Sequence, residues 1–370
     1  MKHFRKAYYG ILVCIAITCI IVFVADQSMK RTVDSANAIV TNKCNTSSYQ
    51  TVVYTDVGIP LNEIKIPPVY SKHIGTLLET LLNANNLKSS CAKIPRRIHQ
   101  TWTDEHRIPS VYKSTILKWI QHHGDWEYWF WTDALAEQLV KGRFPKYASL
   151  YANYSQPINR ADAMRYFILH EFGGVYADLD VVALRPLDPL TEVHTFVIPE
   201  ENAVHTYALF DLNRIPLNAL MMSTAGHPFL KTIIEQLPEF KDLDDVIWKT
   251  GSLMVDSVMT SYQSRFPTRV NNASLCESVY LASWSQFNPI YDITAANVVR
   301  KNCQHRGSFD KGAICNTLKA IRFKQLSIHP SAFSKHLYHH IYTDKGRKLT
   351  EKVFNINDLG IRRVNIAEHL

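Results

Sequence analysis

Two periodicities divide this chain. From Lys93 onward, short apolar runs alternate with stretches of helical spacing. Arg97–Trp102 reads as a buried strand after a proline break. Pro109–His122 reads as a helix and Trp126–Trp131 as an aromatic strand. Ala134–Lys141 reads as a further helix, with Asp133 as its predicted cap. The aromatic strand is assigned to the core, because such side chains pack well on a pleated surface. From Asn159 the apolar residues Ala161, Met164, Ile168 and Phe172 recur at helical spacing, and Gly173-Gly174 provides a stop. A period of two follows. Val175, Ala177, Leu179 and Val181 fall on one side, and Tyr176, Asp178 and Asp180 on the other. Strand, helix, strand, helix predicts an α/β domain with a mainly parallel sheet, whose ligands bind at the carboxyl ends of the strands.

A different pattern occupies the N-terminus. Ala7–Ala25 carries no charge, and as a helix would span roughly 28 Å, close to one hydrocarbon core. Lys2, Arg5 and Lys6 precede it, which favours a cytoplasmic start. A cleaved signal peptide is the rival reading. Its apolar region would be shorter, and cleavage after Ala25 would put bulky Phe23 at the −3 position. The chain is therefore predicted to be a single-pass type II membrane protein. Residues 1–6 form its tail, 7–25 its signal anchor, 26–90 a polar stem broken by Pro60, Pro67 and Pro68, 91–345 its lumenal domain and 346–370 a C-terminal extension. Within the stem, Ser71–Leu87 has amphipathic helical spacing. Sequons at Asn45, Asn153 and Asn272 fit a lumenal body. So do Cys44, Cys91, Cys276, Cys303 and Cys315, an odd number whose pairing spacing does not fix.

Charge and composition then narrow the function. Hydrophobic residues at 46% and charged residues at 20% exclude a chain disordered throughout. The net +8 invites a nucleic-acid partner, but three of those charges sit in residues 1–6, and no nucleic-acid-binding motif accompanies the basic C-terminus. The chemistry lies in Asn159–Leu184. Asp178 and Asp180 at i and i+2 of a strand project together, and their repulsion raises one pKa unless a cation intervenes. A hard divalent ion, Mn²⁺ or Mg²⁺, would relieve it and bridge to phosphates. A solvated strand end with two turn-capping carboxylates is the alternative. Asp162 and Arg165 are neighbours on the preceding helix, as a site pair or as a surface ion pair. His336, His339 and His340 are assigned to a solvated basic face. His329, which ends an apolar run, is the candidate third metal ligand. Asp242–Asp245 is read as a loop.

The segments IPRRIHQTW (94–102), YWFWTD (128–133), NRADAMRYFILHEFGGVYADLDV (159–181) and HPF (227–229) together resemble family 32 glycosyltransferases. Their texture is similar to that of the fungal inositol-phosphorylceramide mannosyltransferases and the initiating outer-chain mannosyltransferases. The D-x-D region is also similar to the clostridial glucosylating toxins. The resemblance implies a GT-A fold, a single Rossmann-like nucleotide-sugar-binding domain. It also implies retaining transfer of a hexose in the Golgi to a glycan or sphingolipid acceptor. GDP-mannose is the implied donor, and a UDP-sugar for galactosyl or N-acetylglucosaminyl transfer the alternative. It implies that Asp178 and Asp180 hold the metal and diphosphate as the catalytic pair, and that Asp162 and Arg165 bind sugar hydroxyls. Tyr176 and Trp102 are placed near the nucleoside. Thr250-Gly251 matches a late T-G-P element, with Ser252 standing where the family has proline. A non-catalytic lumenal sugar-binding protein on the same scaffold is the reading from another class.

Overall fold

In the computed structural model the described residues are 91–212, 214–264, 276–305, 307–328, 330–340 and 348–370. The anchor, the stem with its Ser71–Leu87 helix, Cys44, Asn45, Asn272 and His329 lie outside them. Among the described residues no helix is long and apolar enough to cross a membrane.

A six-stranded sheet forms the centre. Its strands are β1 (Arg97–Thr101), β3 (Glu127–Trp131), β4 (Gly174–Ala177), β6 (Phe196–Pro199), β7 (Leu220–Ser223) and β8 (Tyr280–Ala282), in the order β3-β1-β4-β7-β6-β8. All run in one direction except β7, which is antiparallel to both neighbours. The expected mainly parallel α/β sheet is therefore present. Short β2 (Ile108–Pro109) pairs with β10 (Val353–Phe354), and β5 (Val181–Ala183) pairs with β9 (Ser334–His336), outside the main sheet.

Alternation along the strands divides the core into two layers. Trp129, Trp131, Tyr176, Phe196, Ile198 and Met221 face one layer, which includes the Pro157–Phe172, Pro228–Gln236 and Ser252–Gln263 helices. Tyr128, Phe130, Val175, Ala177, Val197 and Met222 face the other, against the Lys113–His122 helix. A sheet covered on both faces buries nearly every strand position, which explains why the aromatic strand reads as core. Trp119 ties the second layer together, donating from Nε1 to the Val181 carbonyl at 2.7 Å. The predicted Asp133 cap is corrected. Thr132 caps the Asp133–Arg143 helix, its side chain accepting from Leu135 N, and Asp133 is the first helical residue.

Gly173 and Gly174 are demanded by geometry as well as by helix termination. Both have positive φ, 62° and 104°. A Cβ at Gly173 would meet Ala225 N at 2.7 Å, and one at Gly174 would meet the Arg97 carbonyl at 2.8 Å. The bare backbone lets the Gly173 carbonyl reach His99 Nε2 at 2.8 Å, while His99 Nδ1 accepts from Trp131. Burial pushes the His99 pKa down to about 3, so the ring is a neutral strut locking helix to strand.

A smaller third cluster joins the π-helix Val204–Leu209 to the Ala296–Asn302 and Phe309–Ala320 helices, braced by a Cys303–Cys315 disulfide. A second disulfide links Cys91 to Cys276. Residues 348–370 pack back on the main body, with Ile366 buried and Val364 N bonded to the Tyr128 carbonyl.

Candidate functional site

The Pro157–Phe172 helix opens with proline at its first turn and buries polar residues together with apolar ones: Asn159, Asp162, Arg165 and Tyr166. Four buried polar side chains on one helix need partners, and each finds them at the carboxyl edge of the sheet. Arg165 Nη2 meets Asp162 Oδ1 at 2.7 Å, and its Nη1 donates to the Asn218 carbonyl at 2.8 Å and reaches Asp178 Oδ2 at 3.3 Å. Its guanidinium also lies 4.8 Å from the centre of the Tyr176 ring. The Asp162/Arg165 pair is thus buried, and the surface ion-pair reading is ruled out.

Asp162 is fully engaged. Asn218 Nδ2 donates to its Oδ1 at 3.1 Å, and Thr250 Oγ1 to its Oδ2 at 3.1 Å. Asn159 Nδ2 donates to Thr250 Oγ1, and Tyr166 OH to the Thr250 carbonyl. Thr250 therefore belongs to the hydrogen-bond network around Asp162. Gly251 caps the Ser252–Gln263 helix, so serine in place of the family's proline still begins the helix there. Ser252 Oγ donates to Asn218 Oδ1 at 3.0 Å.

The D-x-D departs from the predicted continuous strand. Strand β4 ends at Ala177, and Asp178–Asp180 form a turn closed by Val181 N on the Asp178 carbonyl at 3.0 Å. Val181 then starts β5 in another sheet. Leu179 still points into the core, as the alternation predicts. Tyr176 OH donates to Asp178 Oδ1 at 2.7 Å. Tyr176 is completely buried, so it sits behind the carboxylate and not on an open nucleoside-facing surface.

Asp180 is held from the far end of the chain. His336 Nε2 lies 3.1 Å from its Oδ1, and His339 N donates to its Oδ2 at 3.1 Å. The assignment of His336 and His339 to a solvated basic face is corrected: β9 brings the His336 ring onto the carboxylate, the turn after it brings the His339 N–H, and both residues are partly buried. Trp102, at the end of β1, packs edge-on against Tyr112, whose ring lies 5.4 Å from that of His339. Trp102 is therefore linked to Asp180 through two rings, Tyr112 and His339. Asn153 ends the Ala148–Asn153 helix and is exposed.

The electrostatics separate the two carboxylates. Burial raises the Asp178 pKa, Arg165 opposes this, and Asp180 adds to it. Burial would also raise Asp180, but the attraction and hydrogen bond of His336 and the His339 N–H hold it well below the ordinary carboxylate range. Burial pulls His336 down, yet Asp180, with Glu201 behind it, lifts it to about 9. Asp162 is raised by burial against the pull of Arg165.

Among the described residues no three His, Cys, Asp or Glu side chains are arranged as a complete metal cage. The donors do fit a hard cation completed by phosphate and water, which needs only one or two carboxylates. Burial and the Asp180 charge together raise Asp178, and such a cation would offset both. Sequence reasoning missed Asn218, His336 and His339. The histidines carried a signal as a cluster, but nothing near them in sequence points to Asp180.

Residues 109–197 match the family model described as "Glycosyltransferase sugar-binding region containing DXD motif". Inositol phosphoceramide mannosyltransferase 1 of Schizosaccharomyces pombe is 33% identical over 46% of this chain and 51% of its own length. Mannosyl phosphorylinositol ceramide synthase SUR1 of Saccharomyces cerevisiae is 34% identical over 46% and 43%. The initiation-specific alpha-1,6-mannosyltransferase of Candida albicans is 30% identical over 39% and 43%. The chain spans about half the length of the curated relatives it matches. Among solved structures, PaToxG glycosyltransferase aligns with 68% of this chain and 96% of its own at 15% identity, with a TM-score of 0.39. Residues 109–197 are therefore similar to the DXD-containing sugar-binding region of glycosyltransferases, and the chain is similar over part of its length to inositol phosphoceramide and initiation-specific α-1,6-mannosyltransferases.

Proposed function

We propose that this chain is a divalent-metal-dependent, retaining glycosyltransferase of GT-A type. It transfers mannose from GDP-mannose to a sphingolipid head group or glycan. The observation that carries the proposal is the buried Asp162–Arg165–Asp178 chain of charges leading to the D-x-D turn. A surface ion pair has no need of such burial, whereas a site that must hold two carboxylates toward a diphosphate does.

Asp178 and Asp180 would hold Mn²⁺ or Mg²⁺, which when bound supplies Lewis-acid stabilisation of the leaving diphosphate. Arg165 and Tyr176 fix Asp178, so the carboxylate meets its cation already oriented. Asn218 and Thr250 fix Asp162 beside the sugar subsite. Trp102 lines the nucleoside end. The acceptor hydroxyl attacks from the leaving-group face, and its proton passes to the departing phosphate oxygen. The relatives named for inositol phosphoceramide favour the sphingolipid acceptor. The proposal keeps the type II topology, with residues 7–25 as the Golgi membrane anchor and Asn153 glycosylated. The two disulfides fit an oxidising lumen.

A screen of nucleotide-sugars with Mn²⁺ tests the reading. GDP release from GDP-mannose is expected, and Asp178→Ala and Asp180→Ala abolish it. Release of UDP alone overturns the donor assignment. No release from any donor, with sugar binding retained, favours the non-catalytic reading.

A further inference from the structure

Beside the D-x-D turn lies a second polar cluster with no role in that reading. Glu201 follows β6 at the carboxyl edge of the sheet. Its Oε1 accepts from Asn202 N at 2.7 Å, Asn288 Nδ2 at 2.6 Å, His205 Nδ1 at 3.2 Å and Tyr338 OH at 2.7 Å. His205 Nε2 accepts from Asp292 N, which leaves the proton on Nδ1 and makes that nitrogen the donor to Glu201. His205 lies in the π-helix, a rare element that recurs where a side chain must be placed against the regular helical pitch.

The cluster grips the segment that reaches Asp180. After β9 the backbone turns through Tyr338 and His340, both left-handed without being glycine, at φ 52° and 47°. Non-glycine residues hold that conformation when the surroundings over-determine it. Here each is pinned by its side chain. Tyr338 OH donates to Glu201 and accepts from Asn288 Nδ2, and His340 Nε2 meets Asp292 Oδ2 at 3.0 Å. Between and before these anchors, His339 N and His336 Nε2 both turn to Asp180. The segment thus has two sides, with 338 and 340 clamped to the body and 336 and 339 presented to the carboxylate.

We propose that Glu201, acting through Tyr338, is a positioning residue that latches the 336–340 segment and so fixes the orientation of Asp180 toward its cation. This rests on the metal-dependent reading given above. Outer partners of a metal carboxylate typically change metal affinity ten- to hundredfold when removed. The test uses the purified full-length chain and Mn²⁺ alone, with free Mn²⁺ followed by electron paramagnetic resonance. Wild type, Asp180→Ala, Glu201→Gln and Tyr338→Phe are compared. Asp180→Ala is expected to lose Mn²⁺ binding. Glu201→Gln and Tyr338→Phe are expected to bind ten- to hundredfold more weakly, with kcat regained at saturating Mn²⁺. Tyr338→Phe removes one hydroxyl and decides the matter should Glu201→Gln fail to fold. Wild-type Mn²⁺ affinity in Tyr338→Phe, whether or not kcat falls, overturns the latch alone. Wild-type affinity in Asp180→Ala overturns the metal reading on which the latch depends.

Discussion

Replacing Arg165 with methionine tests the central charge arrangement. The side chain is 2% exposed and its partner Asp162 8%. Methionine keeps most of the aliphatic volume and removes the guanidinium. Asp162 then loses the cation paired with it in a buried site, and the Asn218 carbonyl loses its donor. Breaking a buried pair from one side costs about 3–5 kcal/mol, because the remaining charge is left uncompensated. Urea unfolding followed by circular dichroism should show that loss at pH 7.5. Lowering the pH should shrink it. Asp162 and Asp178 already have raised pKa values despite Arg165, and without it they rise further. A carboxyl whose folded pKa exceeds its unfolded one takes up its proton first in the folded state, so acid favours folding of the variant relative to wild type. Asp162→Asn added to Arg165→Met should recover part of the loss, since that uncompensated charge goes with it. A loss below about 1 kcal/mol, independent of pH, would match an exposed pair and refute the reasoning.

Further outcomes follow from the same contacts. Thr250→Val keeps shape but strips Asp162 and Asn159 of a partner, so stability should fall by about 1–3 kcal/mol in thermal or urea unfolding, and donor turnover should fall with it. In EDTA, the His336–Asp180 pair should give full stabilisation below pH 6.5 and lose it as pH rises through about 9, because the His336 folded pKa lies above its ordinary value. Asp180, held low, should lose its share only as acid protonates it, and His336→Gln should abolish the alkaline decline in a pH series of melting curves. Peptide mapping without reduction should find Cys91 joined to Cys276 and Cys303 to Cys315. Asn153→Gln should remove one glycan, read as a mobility shift sensitive to glycosidase.

What was legible in the sequence was local. Strands β1 and β3, the Pro157–Phe172 helix and the double-glycine stop each announce themselves within about fifteen residues, because period and turn chemistry act over that range. The Asp133 cap was misplaced by one position because Thr132 and Asp133 are both good caps, and only backbone geometry chooses between them. The D-x-D was placed within a strand because apolar alternation runs unbroken from Val175 to Val181. The chain leaves the sheet at Ala177 all the same, and β5 finds its partner in β9. Partners at long range were invisible. Asn218 is 56 residues from Asp162, Tyr338 is 137 from Glu201, and His336 is 156 from Asp180. A cluster of histidines on which no Cys or carboxylate converges with ligand spacing reads as solvated, and only tertiary pairing of β9 with β5 reverses that.

The break in the strand has a chemical consequence. Had Asp178 and Asp180 shared one continuous strand, a single set of neighbours would have governed both, and their repulsion would have been met by whatever lay above that face. Instead the turn assigns each carboxylate to a different part of the molecule. Asp178 belongs to the helix and central sheet, through Arg165 and Tyr176. Asp180 belongs to the C-terminal segment, through His336 and His339. Burial raises one carboxyl while His336 and His339 hold the other low, although a single residue separates them. The lowered one stays charged at any working pH and can recruit a cation. The raised one would gain most from a cation, which would offset both its burial and its repulsion by Asp180. Dividing the pair between two supports therefore gives two identical side chains unlike electrostatics.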